Sequence, residues 1–487
     1  MATSIAGVGN ISSAGIGSGL DVASIVSKLM SIERAPLTAL ETQATDFNSR
    51  LSTMGKLQSQ FGALRDKANA MVATTLWSST TATASDSAAL KISTASNAVP
   101  GNYAVAVNRL AVGQTAISTP LADTTVALGA GTLKIELGSY GDGSPAAGFT
   151  AKAGSPALTL TVGAGDSSLA GLRDKINSAN AGVLASIVTD ATGARLSIRS
   201  RESGAENAFR ITATETSDDG NAATGLSSLG FDASASSSPM LRTTSAANAD
   251  LTINGIAISS ASNTLNNVID GLTMTLQKTS ATPVDVTVKS DTAAVRGAIT
   301  DFVAAFNSLA SYLHTQTAYN ADNKSGGALQ GDQGALGMQS QLRGVLNEGS
   351  SASSLWGRLS DIGIALKTDG TLETTTTKLD NALENLGELR NLLATDGAGS
   401  ADSGFVRRFK RLADATLSTN GALDTRSSGL RTSLGRNSKS QETAQKRLDQ
   451  TEARLRAQYT ALDTTMAKLN TTSAYVKQQF STNSSGN

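Results

Sequence analysis

Side chains that could carry chemistry are scarce in this chain. Across 487 residues there is no cysteine and a single histidine, His314. Without sulfur there is no disulfide, no thiolate nucleophile and no zinc site built on thiolates. A lone imidazole needs partners to form a triad or a metal site, and none stands at a fixed spacing from it, so His314 reads as a partly exposed helix residue. The G-x-G-x-G run through Gly15, Gly17 and Gly19 lacks the buried strand before it, the third glycine three residues on and the βαβ frame of a dinucleotide fingerprint. It reads instead as an entry segment, with Asp21 near the cap of the next helix. Asn320 to Gly327 has the look of a calcium loop, but Lys324 stands where an oxygen ligand is needed, which leaves a surface loop. With no carboxylate pair or phosphate loop in a recognisable frame, no nucleophile and base can be named. The chain is expected not to be an enzyme and to need neither cofactor nor metal.

Composition points the same way. Aromatic residues are only 4% and charged residues 16%, against 46 glycines; that suits short strands and light cores rather than a dense enzyme core. Basic and acidic residues balance at 40 each, and no basic stripe marks a nucleic-acid surface. Residues 1–20 have no basic n-region and no continuous apolar run, so a secretory signal peptide is not expected. No run of about twenty apolar residues could span a bilayer. Composition alone makes a soluble cytoplasmic protein the default, with room for roughly three or four domains.

The elements around these sparse groups are organised by the two chain ends. Near the C-terminus, Leu448, Glu452, Leu455, Tyr459, Leu462, Met466, Leu469, Ser473, Val476 and Phe480 follow one another at alternating steps of three and four. All but Glu452 and Ser473 are apolar. That is an a/d seam on one stripe of a helix about 60 Å long, at 1.5 Å per residue. Glu442 before Lys446 and Glu452 before Arg456 support the opposite, solvated face. At the other end Ile25, Leu29 and Ile32 share a face, Pro36 breaks or restarts the helix, and Leu37, Leu40, Ala44, Phe47, Leu51 and Met54 follow. The seam runs on through Leu57, Phe61, Leu64, Ala68 and Met71. Short steps on both sides of Met54 predict overwinding or a change of partner there. The N-terminal stripe is the expected complement of the C-terminal one.

Between the ends the period switches to two. Alternating pairs and triplets predict strands: Tyr103, Val105 and Val107; Leu133, Ile135 and Leu137; Leu158, Leu160 and Val162; Leu196 and Ile198; Phe209 and Ile211; Leu251 and Ile253; Val284, Val286 and Val288. Asn254-Gly255 predicts a type I′ hairpin. Brief helices are expected at residues 169–178 and 263–270, giving a weak repeat of strand, helix and strand pair, with Ser234 to Ser238 as a linker. From residue 291 helices return. Ile299, Phe302, Phe306, Leu309 and Leu313 form a seam. A helix over 334–347, a hairpin around Ile362 to Leu366, one helix carrying Leu379, Leu383, Leu386 and Leu393, and a glycine-rich loop at 396–404 complete the chain.

The fold expected is therefore α+β and multidomain, with long terminal helices forming a coiled-coil stalk and a helical domain, and two nested β-rich domains inserted between them. The expected divisions are 1–40 with 446–487 as terminal legs, 41–76 with 290–445 as a helical stalk, 77–122 with 246–289 as a β-rich plate, and 123–245 as an outer β-rich domain.

The order and separation of several strings resemble the bacterial flagellar hook-associated protein 2 family, the filament cap. At the N-terminus they are Gly17-Ser18-Gly19-Leu20-Asp21-Val22, Ile25-Val26, Leu29-Met30, Glu33 and Pro36-Leu37. At the C-terminus they are Leu462-Asp463, Met466, Leu469-Asn470, Ser473 and Tyr475-Val476-Lys477-Gln478-Gln479-Phe480. Leu251 to Gly255, Ile362-Gly363-Ile364 and Asp369 to Leu372 belong to the same likeness, and Leu169 to Gly204 resembles an insertion motif shared with flagellin-type proteins. The resemblance implies a protein exported unfolded through the flagellar type III channel, without a cleaved signal, to the distal tip of the extracellular filament, where the absence of cysteine is no handicap. It implies a closed ring of about five subunits, flagellin as the substrate of assembly, hook-filament junction proteins and a dedicated export chaperone as further partners, and neither nucleic acid nor membrane insertion.

The function expected is a cap that retains exported flagellin and promotes its folding and polymerisation. The helices expected to contact flagellin or other copies carry Leu37, Leu40, Phe47, Leu51, Met54 and Phe61 on one side, and Leu448, Leu455, Tyr459, Leu462, Met466, Leu469, Val476 and Phe480 on the other. Two other readings stand beside it: the stripes could be intramolecular core, and the outer domain could be an adhesin for mucin or host glycans. Against the adhesin, Tyr140, Phe149, Phe209 and Phe231 are scattered along the sequence and form no evident sugar platform.

Overall fold

The computed structural model describes residues 21–143, 145–322 and 324–484, with side chains as far as Gln479. The glycines of the G-x-G-x-G run and the side chain of Phe480 lie outside the described residues. In chain order the elements begin α1 (Val22–Glu33), α2 (Ala35–Val72), α3 (Thr74–Trp77), β1 (Thr80–Ala84), β2 (Leu90–Thr94), β3 (Gly101–Arg109), β4 (Thr115–Ile117), β5 (Gly131–Tyr140), β6 (Phe149–Ala151) and β7 (Leu158–Val162). They continue α4 (Leu169–Ser178), β8 (Val183–Asp190), β9 (Gly193–Ser200), β10 (Ala208–Glu215), β11 (Leu241–Thr244), β12 (Ala249–Ile253), β13 (Ile256–Ser260), β14 (Thr264–Asn266), β15 (Leu272–Leu276) and β16 (Val284–Ser290). The last are α5 (Thr292–Thr317), β17 (Tyr319–Asn320), β18 (Ser325–Gly326), α6 (Gln333–Asn347), β19 (Ile364–Leu366), β20 (Leu372–Thr374), α7 (Thr376–Leu383), α8 (Leu386–Ala394), α9 (Phe405–Leu417) and α10 (Ala422–Ser484). Helices lie at both ends and the strands between, as expected. The chain divides into two compact units, residues 1–73 with 295–487, and residues 74–294.

The first unit is helical. Pro36 sits in the first turn of α2, where its missing N–H costs nothing. Leu57, Phe61, Leu64, Ala68 and Met71 are all buried, and α2 packs against α9. From α5, Phe302 and Phe306 place their rings 5.6 Å and 5.5 Å from that of Phe409 on α9. The loop before α9 is pinned by a buried arginine: Arg408 donates to the carbonyls of Ser403 (3.0 Å), Glu348 (3.1 Å) and Gly349 (2.9 Å) and lies over the Phe405 ring. Gly404 caps this turn because a Cβ there would come within 2.4 Å of the Leu393 backbone. The single helix expected over Leu379 to Leu393 is two. Asn385 leaves helical geometry and donates its N–H to the Ala382 carbonyl, in keeping with the tendency of asparagine to compete for the backbone inside helices.

The second unit holds two separate hydrophobic cores. One gathers Val105, Val107, Leu251, Met274 and Val286 between the five-stranded sheet β1-β16-β3-β12-β13 and the three-stranded sheet β14-β15-β2. The other gathers Leu133, Leu172, Ile176, Leu196 and Phe209 among β10-β5-β6, with β7 also on β5, and β11-β4-β9-β8. Every strand pair is antiparallel. The Asn254-Gly255 turn takes positive φ at both residues, 49° and 83°, and closes β12 on β13 with Ile253 opposite Ile256. That is the type I′ geometry the dipeptide predicts.

Two expectations are corrected here. The helix expected over 263–270 is absent, and with it the repeat: Asn263 is held by its side chain to the N–H and carbonyl of Ala111, both at 2.8 Å, and Leu265 enters a strand opposite Met274. Ser234 to Ser238 link nothing, since Phe231 before them and Met240 after them share one core. The aromatics scattered in sequence converge in space. Tyr140 stands 4.9 Å from Phe149 and 6.4 Å from Phe231, and Phe209 5.7 Å from Phe231. They are core, with Phe209 and Phe231 fully buried.

Candidate interaction site on the terminal helices

Three helices build the site. Asp21 caps α1 by accepting from the Ser24 N–H at 3.0 Å. α1 ends at Arg34 and α2 restarts at Ala35. α10 lies antiparallel to both. Asn437 Nδ2 donates to Gln43 Oε1 at 2.8 Å and Gln441 Nε2 to the Leu40 carbonyl at 3.2 Å, while farther along Leu448 packs with Leu37, Met30 and Val26. Leu455 and Tyr459 close the end of this small core beside Val22. The pairing of chain ends expected from the seams is therefore present.

Two details differ. On α1 the buried residues are Val26 and Met30, with Val22 partly buried against them, whereas Ile32 is 73% exposed. Both rows have helical spacing, and the position of Leu448 decides between them. On α10 the stripe is divided. Leu448 is buried and Leu455 and Tyr459 half-buried, but Leu462, Met466, Leu469 and Val476 are exposed, Leu469 at 57%. The described N-terminal helices cover the seam only as far as Tyr459. The first half of α10 also pairs with α2, through Asn437 and Gln441, and buries Leu430. That half was missed because polar residues occupy its seam; its signal is the same alternation of three and four read with amides allowed.

Phe47 and Leu51 are half-buried and Met54 and Phe61 fully buried. α10 begins at Ala422, which shares a surface depression with Arg50, and α2 packs against α9 as well as α10. Arg426 in the same region donates through Nε to the buried Asp332 carboxylate at 3.0 Å, which also caps α6 by accepting from the Gly334 and Ala335 N–H groups. Between the α1–α2 corner and α10 runs a groove of about 600 Å³, floored by Leu37, Leu40 and Leu448 and edged by Lys439, Arg447 and Glu33.

This arrangement offers an apolar contact surface. His314 is exposed on α5, and the 320–327 stretch joins a two-residue hairpin, β17 to β18. The two i,i+4 pairs expected on α10 are formed, Lys446 with Glu442 at 2.8 Å and Arg456 with Glu452 at 2.7 Å. Among the described residues no helix is long and apolar enough to cross a membrane.

Sequence patterns described as flagellar hook-associated protein 2 N-terminus and C-terminus match residues 18–114 and 246–471, and one described as the flagellin hook IN motif matches residues 149–202. Flagellar hook-associated protein 2 of Escherichia coli strain K12 is 34% identical over 98% of this chain and 99% of its own length. The chain belongs to the flagellar hook-associated protein 2 family. The A-type flagellar hook-associated protein 2 of Pseudomonas aeruginosa is 29% identical over 96% of both chains. In structure, domains D1-D2-D3 of the flagellar cap protein FliD from Escherichia coli align with a TM-score of 0.58 at 33% identity, over 78% of this chain and 99% of that one. Flagellar hook-associated protein 2 proteins form a structural, flagellar cap family and not an enzyme family.

Proposed function

We propose that the chain caps the growing filament at its distal tip, retains exported flagellin and promotes its folding and polymerisation. The observation that carries this reading is the apolar row Leu462, Met466, Leu469 and Val476, exposed on α10 past the point where the described N-terminal helices cover it. Four exposed aliphatic or thioether side chains at seam spacing form a surface that a partner helix can cover. Flagellin is the partner proposed. Each contact is small, so helices engage and release stepwise as subunits are added. In this reading residues 1–40 with 446–487 are legs, 41–76 with 290–445 a helical stalk, 77–122 with 246–289 a plate and 123–245 an outer domain. Copies form a ring of about five, the chain leaves the cell by the flagellar type III route with a dedicated chaperone, and hook-filament junction proteins are further partners.

The site residues divide into two roles. Leu37, Leu40, Phe47, Leu51, Met54, Phe61, Leu448, Leu455 and Tyr459 hold the helices together, Leu462, Met466, Leu469 and Val476 are left for contact with flagellin or another copy, and Phe480 is proposed for the same contact. The test is the triple substitution Leu462→Ser, Met466→Ser and Leu469→Ser. Expected are a folded protein, short filaments and flagellin released into the medium. Full-length filaments with no release would overturn the reading. Adhesion through the outer domain gains no support from its aromatics, which pack together in its core.

A further inference from the structure

The second unit has several sheet edges, and three of them are covered. On β8 the outward N–H and carbonyl of Ala185 are both taken by the Asn177 side chain, at 2.8 Å and 2.9 Å. β1 lies against β2, with Thr94 Oγ1 donating to the Thr80 carbonyl at 2.6 Å. β10 is bridged at Ile211 by Phe231. Two edges differ. β13, Ile256-Ala257-Ile258-Ser259-Ser260, ends the five-stranded sheet and pairs only with β12. It contains no charge, no proline and no bulge, the devices by which edge strands ordinarily repel a further strand. Ile253 and Ile256 flank a two-residue turn and so exchange hydrogen bonds. The alternation of an antiparallel ladder then points the N–H and carbonyl groups of Ala257 and Ser259 away from β12. β11 also ends its sheet, and it carries one charge, Arg242, and a bulge between Arg242 and Thr244. The side chains of Ile256 on β13 and Leu241 on β11 are 69% and 66% exposed.

Charge tells the two edges apart and makes them complementary. Asp250 on β12 lies opposite Ser259 and on the same sheet face. Among the described residues its carboxylate makes no ion pair or hydrogen bond, because Arg109, its neighbour on β3, donates to the Asn248 carbonyl instead. Arg242 on β11 also makes no ion pair or hydrogen bond, although its charge reaches the Tyr140 phenol. We infer that β13 of one copy takes up β11 of a second copy as an added strand, with Leu241 joining the edge aliphatics and Arg242 reaching toward Asp250. A self-pairing of β13 would give a two-fold dimer, whereas a closed ring needs two different patches that meet head to tail. β13 and β11 are two such patches. The inference rests on the ring reading above.

The test is the mass of the full-length protein in solution by light scattering, over a concentration series. Arg242→Asp and Asp250→Arg should each weaken assembly at least about tenfold, and the two together should restore it, as for paired charges across an interface. Ala257→Pro removes an outward donor without touching the β12 ladder and should do the same as either single substitution. Unchanged assembly in the single variants, or no recovery in the double one, overturns the interface while leaving the ring. A wild type that stays monomeric at high concentration overturns the ring reading and the interface with it. Because the chain has no cysteine, Ser260→Cys combined with Leu241→Cys, both on the aliphatic face of the two edges, gives a second readout that does not depend on the charge variants folding. Oxidation should produce a ladder of cross-linked copies, and neither cysteine alone should produce one. No ladder from the pair overturns the inference.

Discussion

At the scale of single residues, two charged groups matter most to the fold. Arg408 is buried, and burial lowers its pKa from the ordinary guanidinium value. It remains where it is because three carbonyls accept from it. Arg408→Leu would leave those carbonyls without a donor and should cost about 3 kcal/mol in denaturant unfolding of the helical unit. Glu136 in the second unit is different. The Lys134 ammonium at 3.0 Å, and then Arg210 at 2.9 Å, hold its carboxyl below the usual range. A depressed folded pKa contributes stability above the ordinary value of 4.5, lost as pH falls through the folded value. Glu136→Gln should therefore lower the melting temperature at neutral pH, and the gap from wild type should close in acid. Neither role was legible beforehand. Arg408 is one arginine among several on α9, and its worth depends on carbonyls brought from Glu348 and Gly349, far away in sequence.

Among the elements, α10 shows how one helix can serve two purposes. Leu448→Ala opens a gap beside Val26, Met30 and Leu37 and should cost about 2–4 kcal/mol, read as faster amide exchange in α1. Leu469→Ala removes a side chain that is 57% exposed. It should leave amide exchange and unfolding unchanged while impairing filament growth. A variant in which Leu469→Ala destabilises the fold as much as Leu448→Ala would show the whole stripe to be core. The heptad made α10 legible as a long helix with one apolar stripe. It carried no information on where cover stops, because Leu455 and Leu462 have the same type and spacing and differ only in whether α1 reaches them. Asn385 and Asn263 show the reverse case. Apolar spacing predicted helix at both, and a backbone break in one and a two-bond clasp on Ala111 in the other overrode it.

For the molecule as a whole, the second unit carries two cores of its own. Residues 74–294 expressed alone should therefore unfold cooperatively on heating, with the far-ultraviolet spectrum of antiparallel strands. A non-cooperative melt would mean that this unit needs the helical one. The sequence by itself determined the helices at both ends, the strands between and the Asn254-Gly255 turn, since each depends on residue type and on periods of two or three to four, which are local. Tertiary structure alone decided which row of α1 is buried, that aromatics distant in sequence form one cluster, and that, among the described residues, cover on α10 ends near Tyr459 while β13 keeps an open edge. These depend on which surfaces meet, and burial is a property of a pair of elements rather than of either one.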